Sequence, residues 1–167
     1  MRILIHDLDP QEFTALGLTL ASDTTVISDS GTIKNCIGCF GCWVKTPGKC
    51  VLKDDYQDLG QLLSKCDELT IVSRCLYGSY SPFVRNVLDR SISFLLPYFM
   101  YENGETHHKP RYEHHFPLFV HFYGNDLTKK EQDTARELVE ANSINFHCTG
   151  NKVCFHNNLQ SVKEELK

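Results

Sequence analysis

Short apolar runs alternate with amphipathic stretches along the chain, and that alternation predicts its elements. Ile3-Leu4-Ile5, within residues 2–6, reads as a fully buried strand that Asp7-Leu8-Asp9-Pro10 ends. Phe13, Leu16 and Leu20 recur at helical spacing within 10–21, with Gly17 among them. Residues 24–28 (TTVIS) are rich in β-branched side chains and predict a second strand. Leu59, Leu62, Leu63 and Cys66 mark the buried face of a helix, with Asp54 and Asp55 ahead of it as cap and first-turn acids. Residues 68–73 (ELTIVS) predict a central strand, followed by a loop over 74–81. Pro82 then opens a helix through Phe83, Val87, Leu88, Ser91, Ile92 and Leu95 that Pro97 stops. Residues 98–116 show no clear period, although Asn103-Gly104 and Pro110 are turn signals. Residues 118–123 (LFVHFY) predict a fourth strand, ended by Gly124-Asn125. Thr128 with Glu131 three residues on is a capping-box pattern for a helix reaching about Asn142. A last strand region falls within 146–155, interrupted at Gly150-Asn151, and a short charged helix occupies 159–166.

Five strands alternating with helices predict a three-layer α/β/α domain over residues 1–167, with a parallel sheet and helices on both faces. Ligands of such sheets bind outside the carboxyl ends of the strands. Attention therefore falls on loops 7–10, 36–55, 74–81 and 124–126. A net charge of −4 with no basic run argues against a nucleic-acid surface. No run of 18 apolar residues is present, so no membrane-spanning helix is expected. Residues 1–10 lack the apolar core of a signal peptide, which makes a cytoplasmic location the expectation. In that setting the eight cysteines are expected as thiols or ligands rather than disulfides.

Half of those cysteines fall in one stretch, CIGCFGCWVKTPGKCVLKDD, as Cys36, Cys39, Cys42 and Cys50. The spacing C-x2-C-x2-C-x7-C, with Gly38 and Gly41 between thiols and a Pro47-Gly48 reversal before the fourth, permits convergence on one point. Converging thiolates suit an iron–sulfur cluster such as [4Fe-4S], or zinc. The competing reading is a packed flap, because buried cysteine behaves as a small hydrophobe and Phe40 and Trp43 lie in the same stretch. His107, His108, His114 and His115 lack a ligand-like spacing to an acid or cysteine and are expected to be solvated. The aromatic, His-rich insertion over 97–116 (Tyr98, Phe99, Tyr101, Tyr112, Phe116) is expected to cover a pocket or make a subunit contact. Arg74 is expected to pair with an acid such as Asp89, or else to bind a phosphate or carboxylate. Cys75, Cys148 and Cys154 read as buried core thiols.

Two segments together resemble a known group, the flavodoxin-like NADPH-dependent FMN reductases with the iron–sulfur flavoproteins of the same superfamily. One is Cys36, Cys39, Cys42, Pro47-Gly48, Cys50 and Asp54-Asp55, similar to that family's C-x2-C-x2-C…P-G-x-C…D-D stretch. The other is the loop from Tyr77 to Ser81 with Phe83-Val84-Arg85-Asn86-Val87-Leu88-Asp89-Arg90 after it. The resemblance covers about residues 24–146. It implies a five-stranded flavodoxin-like sheet of order 2-1-3-4-5, FMN as cofactor and NAD(P)H as electron donor. It also implies a homo-oligomer and a small-molecule or protein electron acceptor. By position, Ser73, Arg74, Cys75, Leu76, Tyr77, Gly78, Ser79 and Ser81, with Tyr123, Gly124 and Asn125, would meet the flavin. No catalytic side chain is implied. The first loop departs from the family: where a phosphate cradle of type G-S-P-R-x-x-G-N-T belongs, the chain has His6-Asp7-Leu8-Asp9-Pro10-Gln11-Glu12. Three readings follow, namely an FMN-binding NAD(P)H-dependent oxidoreductase, a cofactor-free flavodoxin-like partner or binding domain, and an iron–sulfur electron relay.

Overall fold

The computed structural model describes residues 1–102 and 104–166. In chain order the first half holds β1 (Arg2–His6), α1 (Pro10–Leu16), β2 (Thr24–Ile27), α2 (Gly41–Val44), α3 (Leu59–Leu63), β3 (Glu68–Arg74) and α4 (Pro82–Arg90). The second half holds a 3-10 turn (Ser91–Phe94), β4 (Leu95–Glu102), β5 (Glu105–Pro110), β6 (Leu118–Tyr123), α5 (Lys129–Asn145), β7 (Asn151–His156) and α6 (Leu159–Glu165). Strands β2-β1-β3-β6-β7 form one sheet and pair parallel throughout. With β4 and β5 set apart as a separate antiparallel pair, this is the 2-1-3-4-5 order of the flavodoxin-like topology.

Parallel strands covered on both faces must be apolar on both, and the central strand shows it: Leu69, Ile71 and Val72 are all buried, with Ser73 beside them. The two faces are covered unequally. Ile3, Ile5, Leu69, Ile71, Val120 and Phe122 belong to the larger core with Leu59, Val84, Val87, Ala135 and Val139 of α3, α4 and α5. Leu4 and Val72 pack on the other face with Leu8, Leu16 and Val162, under the short helices α1 and α6. Full burial of such side chains is worth roughly 1.5–3 kcal/mol each, so the larger face carries most of the hydrophobic stability.

Several expectations need correction. The helix opened by Pro82 ends at Arg90, not at Pro97; a 3-10 turn follows, and Pro97 lies within β4. Proline is tolerated there because a two-stranded sheet consists of edges. Residues 98–116, read as lacking a period, hold most of a hairpin in which Phe99 faces His108 and Glu102 faces Glu105. Of the Asn103-Gly104 turn signal, Asn103 lies outside the described residues. Helix α5 runs on to Asn145, and β7 begins only at Asn151. Asp54 does not cap a helix; α3 begins at Leu59 and Asp54 is committed elsewhere. His107 is buried and bonds Asn145 through Nδ1 at 3.1 Å, rather than being solvated.

Helix α3 packs so closely on the 3-10 turn that it needs a glycine. A Cβ at Gly60 would overlap Ser93 Oγ and come within 2.8 Å of the Phe94 backbone nitrogen. Gly60→Ala gains up to about 1 kcal/mol of helix propensity. Overpacking against main chain outweighs that gain, and a net loss of about 1–3 kcal/mol is expected in urea denaturation. An unchanged or higher midpoint would show that α3 slides freely on the turn.

Candidate functional site

The cysteine stretch forms a held loop over an open cavity of about 600 Å³, and all four of its thiols line that cavity. Phe40, in a left-handed conformation at φ 56°, starts the single turn α2. Gly41 sits against Val51, where a side chain would collide with the valine methyls at 2.6 and 2.9 Å. Gly48, at φ 84°, reverses the chain and donates its N–H to Cys42 O at 3.1 Å, bringing Cys50 back toward the first three cysteines. Trp43 stacks on Phe40 and donates its indole N–H to Leu95 O at 3.0 Å, joining the loop to the hairpin. His108 of β5 tilts against Trp43, and His108 and Leu95 line the pocket, whereas Tyr98, Phe99, Tyr101, Tyr112 and Phe116 do not.

Two side chains of α4 fix the loop's roots. Arg90, fully buried, holds Asp54 in a bidentate pair, Nη1 to Oδ2 at 2.8 Å and Nη2 to Oδ1 at 2.7 Å. The same guanidinium donates to Lys34 O at 2.6 Å, just before Cys36, and to Leu52 O at 3.5 Å, just after Cys50. Asn86 Oδ1 accepts the Cys36 N–H at 3.2 Å. Arg90 hydrogen bonds hold the Asp54 carboxyl down at about 2. In return the Asp54 carboxylate strengthens the hold of Arg90 on its proton despite burial. A fixed cation thus lies beside a four-thiol cavity.

The thiols are neighbours without crowding one point. Burial pushes the Cys42 thiol up, and negative charge on Cys50, Cys36 or Cys39 would push it further. Yet among the described residues no three of these sulfurs lie within 4.8 Å of one another, since the close ligand group found there is a different one. One tetrahedral zinc with bonds of about 2.3 Å requires sulfurs about 3.8 Å apart. In a four-iron cluster each thiolate takes a separate iron, so its sulfurs need not meet at one point.

At the carboxyl ends of the strands lies a second concavity, a groove of about 540 Å³. Arg74, Cys75, Leu76, Tyr77, Tyr123, Gly124 and Asn125 line it, together with Glu12 and Glu131. Ser73 and Ser81 do not: both are buried, and Ser81 N–H donates to Ser73 Oγ at 2.9 Å. Leu76 and Ser79 bond each other's main chain at 2.8 and 3.0 Å, closing a tight turn. Gly78 serves the packing of α5, because a Cβ would meet Thr134 Cβ at 2.8 Å and Glu131 O at 2.9 Å. Arg74 makes no pair with Asp89; among the described residues no carboxylate lies within ion-pair distance of its guanidinium.

The first loop, where the resemblance expects a phosphate cradle, does not fit the FMN phosphate. Asp9 accepts the Gln11 and Glu12 N–H groups at 2.8 Å each, and Glu12 accepts the Asp9 N–H at 3.2 Å. The donors at the start of α1 that a phosphate would use are thus taken by the chain's own carboxylates. Asp7 closes the switch point in strand order, accepting Arg74 N–H at 2.9 Å and Tyr123 O–H at 3.1 Å. Burial, with Asp7 behind it, pushes the Tyr123 hydroxyl above its usual range and keeps it a donor. Three carboxylates therefore stand in the loop where the resemblance expects the phosphate.

Sequence reasoning placed the cysteines but missed Arg90, Asp54 and Asn86 as the residues that hold their loop. The available signal was an Arg at the inner end of an amphipathic helix, which rarely stays buried without a partner.

No protein-family model matches the chain, and no curated protein matches it. Solved structures do. General stress protein 14 from Treponema denticola, in complex with FMN, is similar over 99% of this chain and 91% of that one, at 12% identity and a TM-score of 0.54. An FMN-dependent NADH-azoreductase from Bacillus anthracis, in complex with FMN, is similar over 99% of this chain and 96% of that one, at 9% identity and a TM-score of 0.56. At these identities the likeness is one of fold, and the chain has the flavodoxin-like fold of these two FMN-binding proteins.

Proposed function

We propose that the protein is a redox protein of the flavodoxin-like class that transfers electrons through its cysteine pocket, with Cys36, Cys39, Cys42 and Cys50 as ligands of a [4Fe-4S] cluster. The observation that carries this reading is that all four cysteines line one cavity, no three of their sulfurs lying within 4.8 Å of one another. When bound, such a cluster supplies one-electron exchange. The chain's own residues prepare the place. Arg90 and Asp54 fix both roots of the loop, and the Arg90 cation offsets thiolate charge. Phe40, Trp43 and Leu95 present apolar walls that limit water. Exposed Ile37, Phe40 and Val44 of the loop and Tyr98, Phe99 and Tyr101 of the hairpin offer an apolar rim to an electron acceptor or a second copy of the chain. Anaerobic reconstitution with iron and sulfide tests the reading: about four iron and four acid-labile sulfide per chain are expected. Retention of neither after desalting would overturn it.

The fold favours a second reading, an FMN-dependent NAD(P)H oxidoreductase, because both similar structures hold FMN. On this reading the strand-end groove takes the flavin ring, while Asp7, Asp9 and Glu12 repel the phosphate. Riboflavin is then expected to bind at least as tightly as FMN in a fluorescence-quenching titration, and FMN to leave on dialysis. FMN retained through dialysis, with riboflavin binding more weakly, would show that another group holds the phosphate.

A further inference from the structure

Beneath the last helix, apart from the cysteine pocket, three ligand-type side chains from three elements meet. His121 lies on β6, His156 ends β7 and Glu165 ends α6. One ligating atom from each lies within 4.8 Å of the other two. His121 Nδ1 and His156 Nε2 are 3.1 Å apart, and His156 Nε2 is 3.8 Å from Glu165 Oε2. A tetrahedral ion with metal–nitrogen and metal–oxygen bonds of about 2.0–2.1 Å places its ligand atoms about 3.3 Å apart. The observed spacings bracket that value. Both imidazoles are buried, at 6% and 5% exposure, so they are held rather than mobile.

Cys154 and Lys152 hold the far oxygen of Glu165. Cys154 is the register partner of His121 across the β6–β7 pair, and its Sγ lies 3.4 Å from Glu165 Oε1. Lys152 Nζ pairs with that same Oε1 at 3.1 Å. Glu165 Oε2 remains on the side facing the histidines. The plain alternative is a histidine–histidine hydrogen bond with an ion pair closing α6 over the sheet. It accounts for the 3.1 Å contact, but not for one Glu165 oxygen lying near ligating nitrogens of both histidines.

We infer that His121, His156 and Glu165 form a binding site for one divalent transition-metal ion of the zinc class. The ion would join β6, β7 and α6. Apart from this cluster and the Lys152 pair, α6 is held chiefly by Val162, which is fully buried on the thinner face of the sheet.

Free thiols elsewhere in the chain are soft donors that compete for added zinc, so the test must read the histidines themselves. Imidazole nitrogen NMR signals of the full chain, assigned to His121 and His156 with single His→Asn variants, are followed during titration with Zn2+. Saturable shifts of both signals are expected, along with a higher melting temperature. Glu165→Gln, at a partly exposed position, is expected to weaken that binding at least about tenfold. Unmoved His121 and His156 signals at millimolar Zn2+, or equal affinity in Glu165→Gln, would overturn the assignment.

Discussion

Arg90→Met is expected to destabilise the fold by about 3–5 kcal/mol, because it leaves the Asp54 carboxylate buried at 3% side-chain exposure without its counter-charge. The same change removes the hydrogen bonds to Lys34 O and Leu52 O that hold the roots of the cysteine loop. Asp54→Leu together with Arg90→Met removes both charges, and most of the stability is expected to return, since paired apolar replacement of a buried ion pair is often neutral. The loop contacts do not return with it. The double variant therefore separates stability from loop positioning: urea midpoints recover while iron uptake at the cysteines stays impaired. Full recovery of both would mean that Arg90 acts on the fold alone.

The same pair sets an acid limb. Hydrogen bonds from Arg90 hold the Asp54 carboxyl at about 2 in the folded chain, against an ordinary value of 3.8. A depressed carboxylate contributes stability that is fully present above its unfolded pKa and is lost as pH falls through the folded one. Between about pH 4 and pH 2 the wild type is thus expected to lose about 2 kcal/mol that Asp54→Asn, lacking the titrating group, does not lose there. Urea unfolding at a series of acidic pH values checks this. Parallel acid limbs in the two proteins would contradict it.

Replacing any one cysteine of the pocket is the second large effect. Cys42→Ser changes the most buried of the four thiols, and after reconstitution it is expected to retain about tenfold less iron than wild type. Cys36→Ser and Cys39→Ser, at exposed positions, are expected to lose most of their iron with little change in unfolding midpoint. Cys75→Ser and Cys66→Ser give the opposite pattern. Both thiols are buried outside the pocket, and burial pushes the Cys66 thiol up to about 12. Such groups are poor ligands, so iron is retained while stability falls. Equal iron in the Cys42 and Cys75 variants would detach the metal from the pocket.

What the sequence disclosed follows how local each feature is. The Thr128–Glu131 capping box is complete within four residues and formed as read. The runs at 3–5, 68–73 and 118–123 could be recognised because buried parallel strands are apolar on both faces. The hairpin over 95–110 was hidden by Ser91, Ile92 and Leu95, which extend the helical period of α4 past its end, and by Pro97, which reads as a stop. Asp54 was misread because an acid ahead of a helical pattern suffices for a cap, whereas its partner Arg90 stands 36 residues away. His121, His156 and Glu165 carry no motif at all. They meet only because β6 and β7 pair in register and α6 folds back over them. The acidic character of the first loop was legible, but its consequence became visible only when Asp9 and Glu12 were seen to cap their own helix.

The most direct test of the electron-transfer reading is electron paramagnetic resonance of anaerobically reconstituted protein after reduction with dithionite. A spin-half signal of a reduced [4Fe-4S] cluster, absent from the Cys42→Ser protein, is the expected result. Iron retained only as isolated high-spin ions, or no paramagnetic signal with no bound iron, would contradict the assignment of a cluster to Cys36, Cys39, Cys42 and Cys50.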